Sequence, residues 1–318
     1  LDFIFGFLSG FISCIQKRDA IVYSYYLNGF YRFITMFKIT NINYTVFQVH
    51  PTPWFVSDIM RKDQQLHIHN CGNYFRKEQD VNWSKKDIDI YISALNCSKG
   101  IICASNITKL SVGDIDNEII VIPYGSRFEN LQSDKNKNKN KNKIKNKKLQ
   151  LLTVSSPSQR KGLHHAFKAL YNCTGIDWTI IGRDPDPEIM RLAPTWVEFI
   201  DRLTDEDLIK YLSSSDIFIM PSLVEGFGLV YLEAISQGTP ILCSTNTGMA
   251  DIIKDYESGF VVTPGEPDQI FERINWIKKN YNKLPEITDE ARKNIKSMTW
   301  TNFKKEIAKT VLTFNNMG

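Results

Sequence analysis

Short apolar runs alternate with helical stretches along almost the whole chain. In the first half, four such runs have the length of buried strands: Ala20–Tyr25, Tyr44–Val49, Gly100–Ala104 and Glu118–Ile122. This alternation is typical of βαβ units, in which helices join parallel strands. At roughly 30 residues per unit, the stretch before Pro123 allows about four or five strands. That is fewer than a full Rossmann-like half, so the first domain is expected to be incomplete.

The second half is more regular and predicts six strands: Leu149–Ser155, Trp178–Gly182, Val197–Ile200, Asp216–Met220, Thr239–Cys243 and Gly259–Thr263. Helical patterns lie between them at about 162–172, 204–213, 228–237 and 249–254, and two closing helices follow at Pro267–Asn280 and Asp289–Phe314. Six strands with right-handed crossovers predict a complete doubly wound domain.

The two halves are separated by a segment of low complexity. Lysine and asparagine alternate from Lys135 to Lys143, and residues 128–148 contain hardly any apolar side chain. Such a segment cannot bury enough surface to offset its ordering entropy, so it is expected to be disordered. The predicted domains are therefore 1–127 and 149–285, with a linker or insertion at 128–148 and closing helices at 286–318.

Charge and cysteine usage narrow the classes of function. The chain has 39 Lys and Arg against 35 Asp and Glu, a net charge of +4, which the Lys/Asn-rich segment alone accounts for. A global basic surface for nucleic acid is therefore not predicted. Six scattered cysteines indicate reduced thiols and a cytoplasmic location. The apolar run Leu1–Ile15 predicts a core-facing helix, with a membrane-surface helix, and hence peripheral membrane contact, as the alternative.

The most informative segment covers residues 221–234, with the sequence P-S-L-V-E-G-F-G-L-V-Y-L-E-A. It follows a predicted buried strand and leads into a helix. Gly226 and Gly228 allow a ligand to approach the backbone, and the N-terminus of the helix suits a diphosphate. Glu225 precedes the helix and Glu233 lies about two turns along it, so the two acids bracket the phosphate site.

This segment resembles the donor motif of the retaining glycosyltransferases of family four, a Glu-x7-Glu pair in a run of the same form. The resemblance implies the GT-B fold, two Rossmann-like domains with a cleft between them. It also implies a nucleotide diphosphate sugar as donor, with a UDP- or GDP-sugar favoured, and no cofactor. Glu225 is then the candidate catalytic residue of the segment. The implied donor-binding residues are Gly226, Phe227, Gly228, Leu229 and Glu233.

A second match lies in the loop after the first strand of the second domain, where residues 156–163 read S-P-S-Q-R-K-G-L. In the family, a Lys before a Gly contacts the donor diphosphate, and Lys161 occupies that position. Many members carry an Arg six residues earlier, whereas this chain has Ser155. Neighbouring Arg160 is the candidate substitute for that second cation.

Weaker matches complete the donor side. Gly182 and Arg183 end a strand that lies near the base in donor-bound relatives. Gly248 and Asp251 stand where relatives have G-x-x-E, although they also fit a simple helix cap. Residues 121–125, V-I-P-Y-G, resemble the family's hinge before the interdomain linker.

His50 is the candidate catalytic residue of the first domain. It follows a predicted buried strand, and the resemblance places a His there on the acceptor side of the cleft. His67, His69, His164 and His165 are interpreted as surface or packing residues, and no metal site is predicted.

The resemblance therefore implies transfer of a sugar, with retention of anomeric configuration, to a glycan, lipid or protein acceptor. The alternative is a degenerate relative that binds a nucleotide sugar without turnover. The short first domain and Ser155 favour that alternative, and the intact pair of Glu225 and Glu233 argues against it. A dinucleotide-binding oxidoreductase is not supported, because no G-x-G-x-x-G run follows a strand.

Overall fold

A computed structural model describes residues 20–39, 42–67, 83–127 and 148–316 of the protein. The helix predicted at Leu1–Ile15 and the disorder predicted for the Lys/Asn-rich segment lie outside these residues. The chain divides into two compact units. The first comprises Leu1–Asp58, Gln79–Gly125 and Trp300–Gly318, and the second comprises Ile59–Glu78 and Ser126–Thr299.

The first unit is built on a parallel sheet with the strand order β1-β2-β3-β4. Its strands are β1 (Ala20–Tyr23), β2 (Tyr44–Gln48), β3 (Gly100–Cys103) and β4 (Ile119–Val121). Its helical segments are α1 (Leu27–Met36), α2 (Pro53–His67), α3 (Lys85–Asn96), α4 (Asn106–Val112) and the last helix of the chain; α2 continues into the second unit. All residues of β2 and β3 are buried, as expected for inner strands of a parallel sheet covered on both faces.

The second unit contains a parallel sheet of six strands with the order β10-β9-β8-β5-β6-β7. Its strands are β5 (Leu149–Val154), β6 (Ile176–Ile181), β7 (Val197–Ile200), β8 (Ile217–Ile219), β9 (Ile241–Ser244) and β10 (Phe260–Val262). The order runs in one direction from β5 through β6 to β7 and in the other from β8 to β10. The sheet therefore has its topological switch point between β5 and β8, where doubly wound folds bind ligands at the carboxyl ends of the strands.

Helices join these strands and pack on the sheet: α5 (Leu163–Leu170), α6 (Pro187–Met190), α7 (Asp205–Ser214), α8 (Leu229–Ser236), α9 (Pro267–Lys279) and α10 (Leu284–Ile295). The hydrophobic core of this unit includes Phe167 on α5, Trp178 on β6 and Ile274 on α9, each at most 1% exposed. Every strand predicted from the sequence is present in the described residues, with ends that shift by up to two positions. The α/β fold class with two parallel sheets is thus confirmed.

The end of the chain departs from the prediction. Instead of one helix at Asp289–Phe314, the structure has α10 and a separate helix α11 (Trp300–Asn316). The break follows from a contact distant in sequence: the Ser126 N–H donates to the Met298 carbonyl at 2.9 Å, and Ser126 pairs with Thr299 in a β-bridge. Helix α11 then belongs to the first unit, so the closing helices expected at 286–318 divide between the units. The helix predicted at 249–254 is a short 3₁₀ turn, Gly248–Asp251.

Two further features concern the cysteines and the hydropathy of the helices. Cys97, Cys103, Cys173 and Cys243 are free thiols. Among the helices that the structure describes, none combines the length and hydropathy needed to cross a bilayer.

Candidate functional site

The loop after β5 is held against the end of β8 by Gly162. A 3₁₀ turn at Gln159–Lys161 ends at this glycine, which has a φ of +68°. A Cβ on Gly162 would lie 2.1 Å from the carbonyl oxygen of Pro221, so only glycine fits both the conformation and the contact. The Leu223 N–H then donates to the Arg160 carbonyl at 2.8 Å. The loops at the switch point are thereby fixed to each other.

Helix α8 begins at a second glycine of the same kind. Gly228 is its N-cap with a φ of +81°, and no side chain caps the helix. A Cβ there would come within 2.5 Å of the Tyr231 ring, which is buried and donates its hydroxyl hydrogen to the Met220 carbonyl. The helix therefore starts without a side-chain cap, which leaves its first N–H groups oriented as an anion site would need them.

Glu225 connects these two loops through its side chain. The Arg160 Nη1 lies 3.0 Å from Glu225 Oε2, and the Lys161 ammonium donates to the same oxygen. Glu225 is 8% exposed, and its N–H donates to the Asn246 carbonyl at 2.9 Å in the loop after β9. The structure thus brings together three predicted site residues, Arg160, Lys161 and Glu225, at the switch point.

Glu233 has different surroundings. Its Oε1 lies 3.2 Å from Nε of Arg127, and its side chain is 13% exposed. Burial raises the pKa of Glu233, Arg127 opposes that shift, and the nearby Asp205 adds to it. The sequence gives no indication of Arg127, because the residue stands at the edge of the Lys/Asn-rich segment and has no motif of its own. Its contact with Glu233 spans more than a hundred positions.

The remaining donor-side candidates lie on the same strand ends and loops. Gly182 follows β6 and packs against the Ser155 backbone, whereas the Arg183 side chain is exposed. Gly226 and Phe227 are buried, and Leu229 is 38% exposed at the start of α8. Gly248 packs on Gly226 and Phe227, while Asp251 ends the 3₁₀ turn and is exposed.

Ser155, which stands where the family has Arg, has a distinctive environment. Its hydroxyl oxygen is buried and has no hydrogen-bond partner in the part of the chain that the structure describes. A buried hydroxyl without a partner costs about 1–3 kcal/mol. Ser155 directly follows β5 and places a small polar group where many family members have a long cation.

His50 lies in the first unit, two residues after β2. Its side chain is half-buried, and its carbonyl accepts a hydrogen bond from the Gln48 amide at 2.6 Å. Gln48 in turn accepts from the Tyr91 hydroxyl at 2.7 Å, which fixes the strand end that carries His50. The other candidate residues all belong to the second unit.

The structure gives His164 and His165 a role that their neighbours in sequence do not indicate. Both are buried and both approach the carboxylate of Asp63 on α2, so they are packing residues with a specific polar partner and not surface residues. Burial would raise the pKa of Asp63, but hydrogen bonds from the two imidazoles hold it well below its usual range. Burial lowers the pKa of His165, and the bond to Asp63 opposes that shift.

The second sheet and its loops lie in a stretch of the chain that matches a known protein family. Residues 134–294 match the family described as Glycosyl transferases group 1, and this stretch contains the second sheet and the loops at its switch point. The chain belongs to this family. The match spans about half of the chain.

Individual relatives match a shorter stretch. An uncharacterized glycosyltransferase of Methanocaldococcus jannaschii is 32% identical over 111 residues, which is 35% of this chain and 28% of that protein. The O-antigen chain mannosyltransferase B of Escherichia coli is 31% identical over 107 residues, 34% of this chain and 28% of that protein. The matched stretch thus corresponds to less than a third of either relative.

Solved structures show the fold over nearly the whole chain. Sucrose-phosphate synthase from Thermosynechococcus elongatus superposes with a TM-score of 0.72 at 16% identity, covering 94% of this chain and 74% of that one. The Anabaena protein HepE, solved with UDP and glucose, superposes with a TM-score of 0.65 at 19% identity, covering 92% and 77%. The chain has the GT-B fold with two Rossmann-like units.

Proposed function

We propose that the protein transfers a sugar from a nucleotide diphosphate sugar to an acceptor with retention of anomeric configuration. The observation that carries the proposal is the meeting of Arg160, Lys161 and Glu225 beside the start of α8. Two cations against one carboxylate leave a formal charge of +1, and the helix N-terminus adds partial positive charge. That excess of positive charge suits the binding of a negatively charged diphosphate.

The chemistry requires charge stabilisation in two places. When the bond between the anomeric carbon and the diphosphate breaks, negative charge grows on the leaving phosphate, and Lys161 and the α8 N-terminus stabilise it. Positive charge grows at the anomeric carbon, where the carboxylate of Glu225 acts. The acceptor oxygen bonds to that carbon, and its proton leaves to the departing phosphate or to water.

Glu233 binds the ribose of the nucleotide in this proposal. A carboxylate two turns into α8 accepts hydrogen bonds from the ribose hydroxyls, and Arg127 favours its ionised form against the effect of burial. His50 is the proposed acceptor-side residue. Resemblance to the family-four donor motif supports retention of configuration.

Names of similar proteins support the donor class. HepE was solved with UDP and with UDP-glucose, and the Escherichia coli relative is named a mannosyltransferase. UDP- and GDP-sugars are therefore the first donors to test, and glycans, lipids and proteins are the acceptor classes.

The test is a panel of UDP-, GDP- and ADP-sugars incubated with glycan and lipid acceptors, with released nucleotide measured and product anomers assigned by NMR. The Lys161→Ala variant should lose most turnover. Lys168→Ala, which changes an exposed lysine on α5, should not. Donor binding without nucleotide release from any pair would favour the non-catalytic alternative. An inverted product would refute retention.

A further inference from the structure

A buried cluster of three metal-ligating side chains lies outside the proposed donor site. Asp63 comes from α2, and His164 and His165 come from the first turn of α5. All three residues belong to the second unit, and their exposures are 6%, 6% and 2%. Buried carboxylates and imidazoles are rare outside ion pairs, metal sites and catalytic sites.

The three side chains point to one place. His165 Nε2 lies 2.6 Å from Asp63 Oδ1, and His164 Nε2 lies 3.1 Å from Asp63 Oδ2. The candidate ligand atoms all lie within 4.8 Å of one another. Ligand atoms bound tetrahedrally to Zn²⁺ at about 2.0–2.1 Å are about 3.3 Å apart. Small side-chain rotations would therefore open the cluster enough to admit an ion.

Gln159 supplies a second, independent observation. Its amide Nε2 donates to Asp63 Oδ2 at 2.6 Å and to the Met60 carbonyl at 3.1 Å. The Gln159 side chain is fully buried, and its Oε1 has no hydrogen-bond partner among the described residues. A half-turn of the amide would exchange Oε1 with Nε2 and break both of these hydrogen bonds. It would be favourable only if a cation bound beside Asp63 coordinated the oxygen.

Hydrogen bonds within the cluster do not account for all of its buried polar atoms. The imidazoles and the Gln159 amide all approach Asp63, and this arrangement leaves the buried Gln159 Oε1 without a donor among the described residues. A divalent ion compensates the charge and takes both Nε2 atoms as ligands. Two imidazoles and one carboxylate are the ligand set of many zinc sites.

We propose that Asp63, His164 and His165 bind a divalent transition metal, with Zn²⁺ the best suited, and that Gln159 Oε1 completes the ligand set. The ion would join α2 to the start of α5, immediately after the turn that carries Lys161. It is a structural site in a place where the sequence predicts none. The proposal does not depend on sugar transfer.

The test is the metal content of the full chain, purified after expression with added zinc and dialysed against metal-free buffer. We expect about one equivalent of zinc, and visible d–d absorption of a four-coordinate ion after replacement with Co²⁺. A chelator should lower the unfolding midpoint of the loaded protein. Wild-type protein with less than about a tenth of an equivalent and no Co²⁺ absorption would overturn the proposal.

Variants locate the ion. Asp63→Asn and His165→Ala should lose the metal. Asp186→Asn is the matched control, since Asp186 is 3% exposed and caps α6 without any part in the cluster. It should keep about one equivalent. Equal zinc in wild type and in folded Asp63→Asn or His165→Ala would refute this assignment. If the cluster variants do not fold, the wild-type zinc content and Co²⁺ spectrum decide alone.

Discussion

Arg127 Nε lies 3.2 Å from Oε1 of Glu233, a carboxylate that is only 13% exposed. Arg127 also reaches Asp205, with its Nη1 3.4 Å from Oδ1, and is itself 46% exposed. Burial raises the pKa of Glu233, and Arg127 partly reverses that shift. The half-exposed Arg127 therefore favours the ionised state of Glu233, which is the stronger acceptor for hydrogen bonds from ribose.

The first prediction concerns the opposite effects of Glu233 on stability and binding. Because its pKa is raised on folding, the folded state binds this proton more tightly than the unfolded chain does. The free energy of unfolding thus falls as the pH rises from the ordinary pKa of Glu through the raised pKa. Above the raised pKa, the full loss of stability is present. At neutral pH, Glu233→Gln should leave the unfolding midpoint unchanged or higher. It should raise the donor KM roughly ten- to hundred-fold, because bonds to a charged acceptor are lost.

The pH dependence gives a second prediction. Donor affinity of the wild type should fall as pH decreases through the raised pKa of Glu233. Arg127→Gln removes the cation that opposes the shift, so the fall should begin at a higher pH. Calorimetric titrations with the preferred donor across the acid range would measure this. Identical pH profiles for the wild type and Arg127→Gln would contradict it.

Glu225 should behave differently from Glu233. Glu225→Gln removes the anion that Arg160 and Lys161 share, and leaves both cations available to the diphosphate. Donor KM should therefore change little or fall, whereas kcat should drop about a hundred-fold or more because transition-state charge is no longer stabilised. Glu198→Gln, which changes the exposed residue of β7, is the control and should have wild-type kinetics. Normal turnover in folded Glu225→Gln would exclude the assigned role.

Patterns within short stretches predicted most of the fold. Inner strands such as β2 and β8 are buried along their whole length and therefore stand out as apolar runs. The break before α11 was not predictable in this way, because it depends on Ser126 pairing with Thr299 across a distance of more than 170 residues. The same limit applies to the site. Residues 221–234 carry a continuous motif, whereas the pairing of Asp63 with His165 joins residues about a hundred positions apart.

A fourth prediction compares strain and crowding at the start of α8 with strain alone at Gly113. Gly228 and Gly113 have nearly the same φ, +81° and +79°, but a Cβ on Gly113 meets nothing within 4 Å. Gly113→Ala should cost about 1–3 kcal/mol through backbone strain alone, because Gly113 has a ψ of −158°, against +68° at Gly228, and lies in a region essentially restricted to glycine. Gly228→Ala should cost more, since the methyl group also meets the Tyr231 ring at 2.5 Å, and it should abolish donor binding by displacing the α8 N-terminus. Urea unfolding and donor titration of both variants test this; equal losses would contradict it.

The last prediction concerns helix α11, which completes the first unit. Phe314 is fully buried in a cluster with Phe47 on β2, Ile102 on β3 and Ile122. A Cβ on Gly100 would lie 2.5 Å from its ring, so the ring covers the start of β3.

Because truncation would leave a cavity that neighbouring side chains cannot fill, Phe314→Ala should cost about 3–5 kcal/mol. Leu312→Ala, on the same helix but 63% exposed, should cost less than about 0.5 kcal/mol. Hydrogen exchange gives the decisive measurement. Amides of β1–β4 should lose protection in Phe314→Ala, while those of β5–β10 should keep it, since α11 belongs to the first unit. Loss of protection confined to the second sheet would show that α11 stabilises the other unit instead.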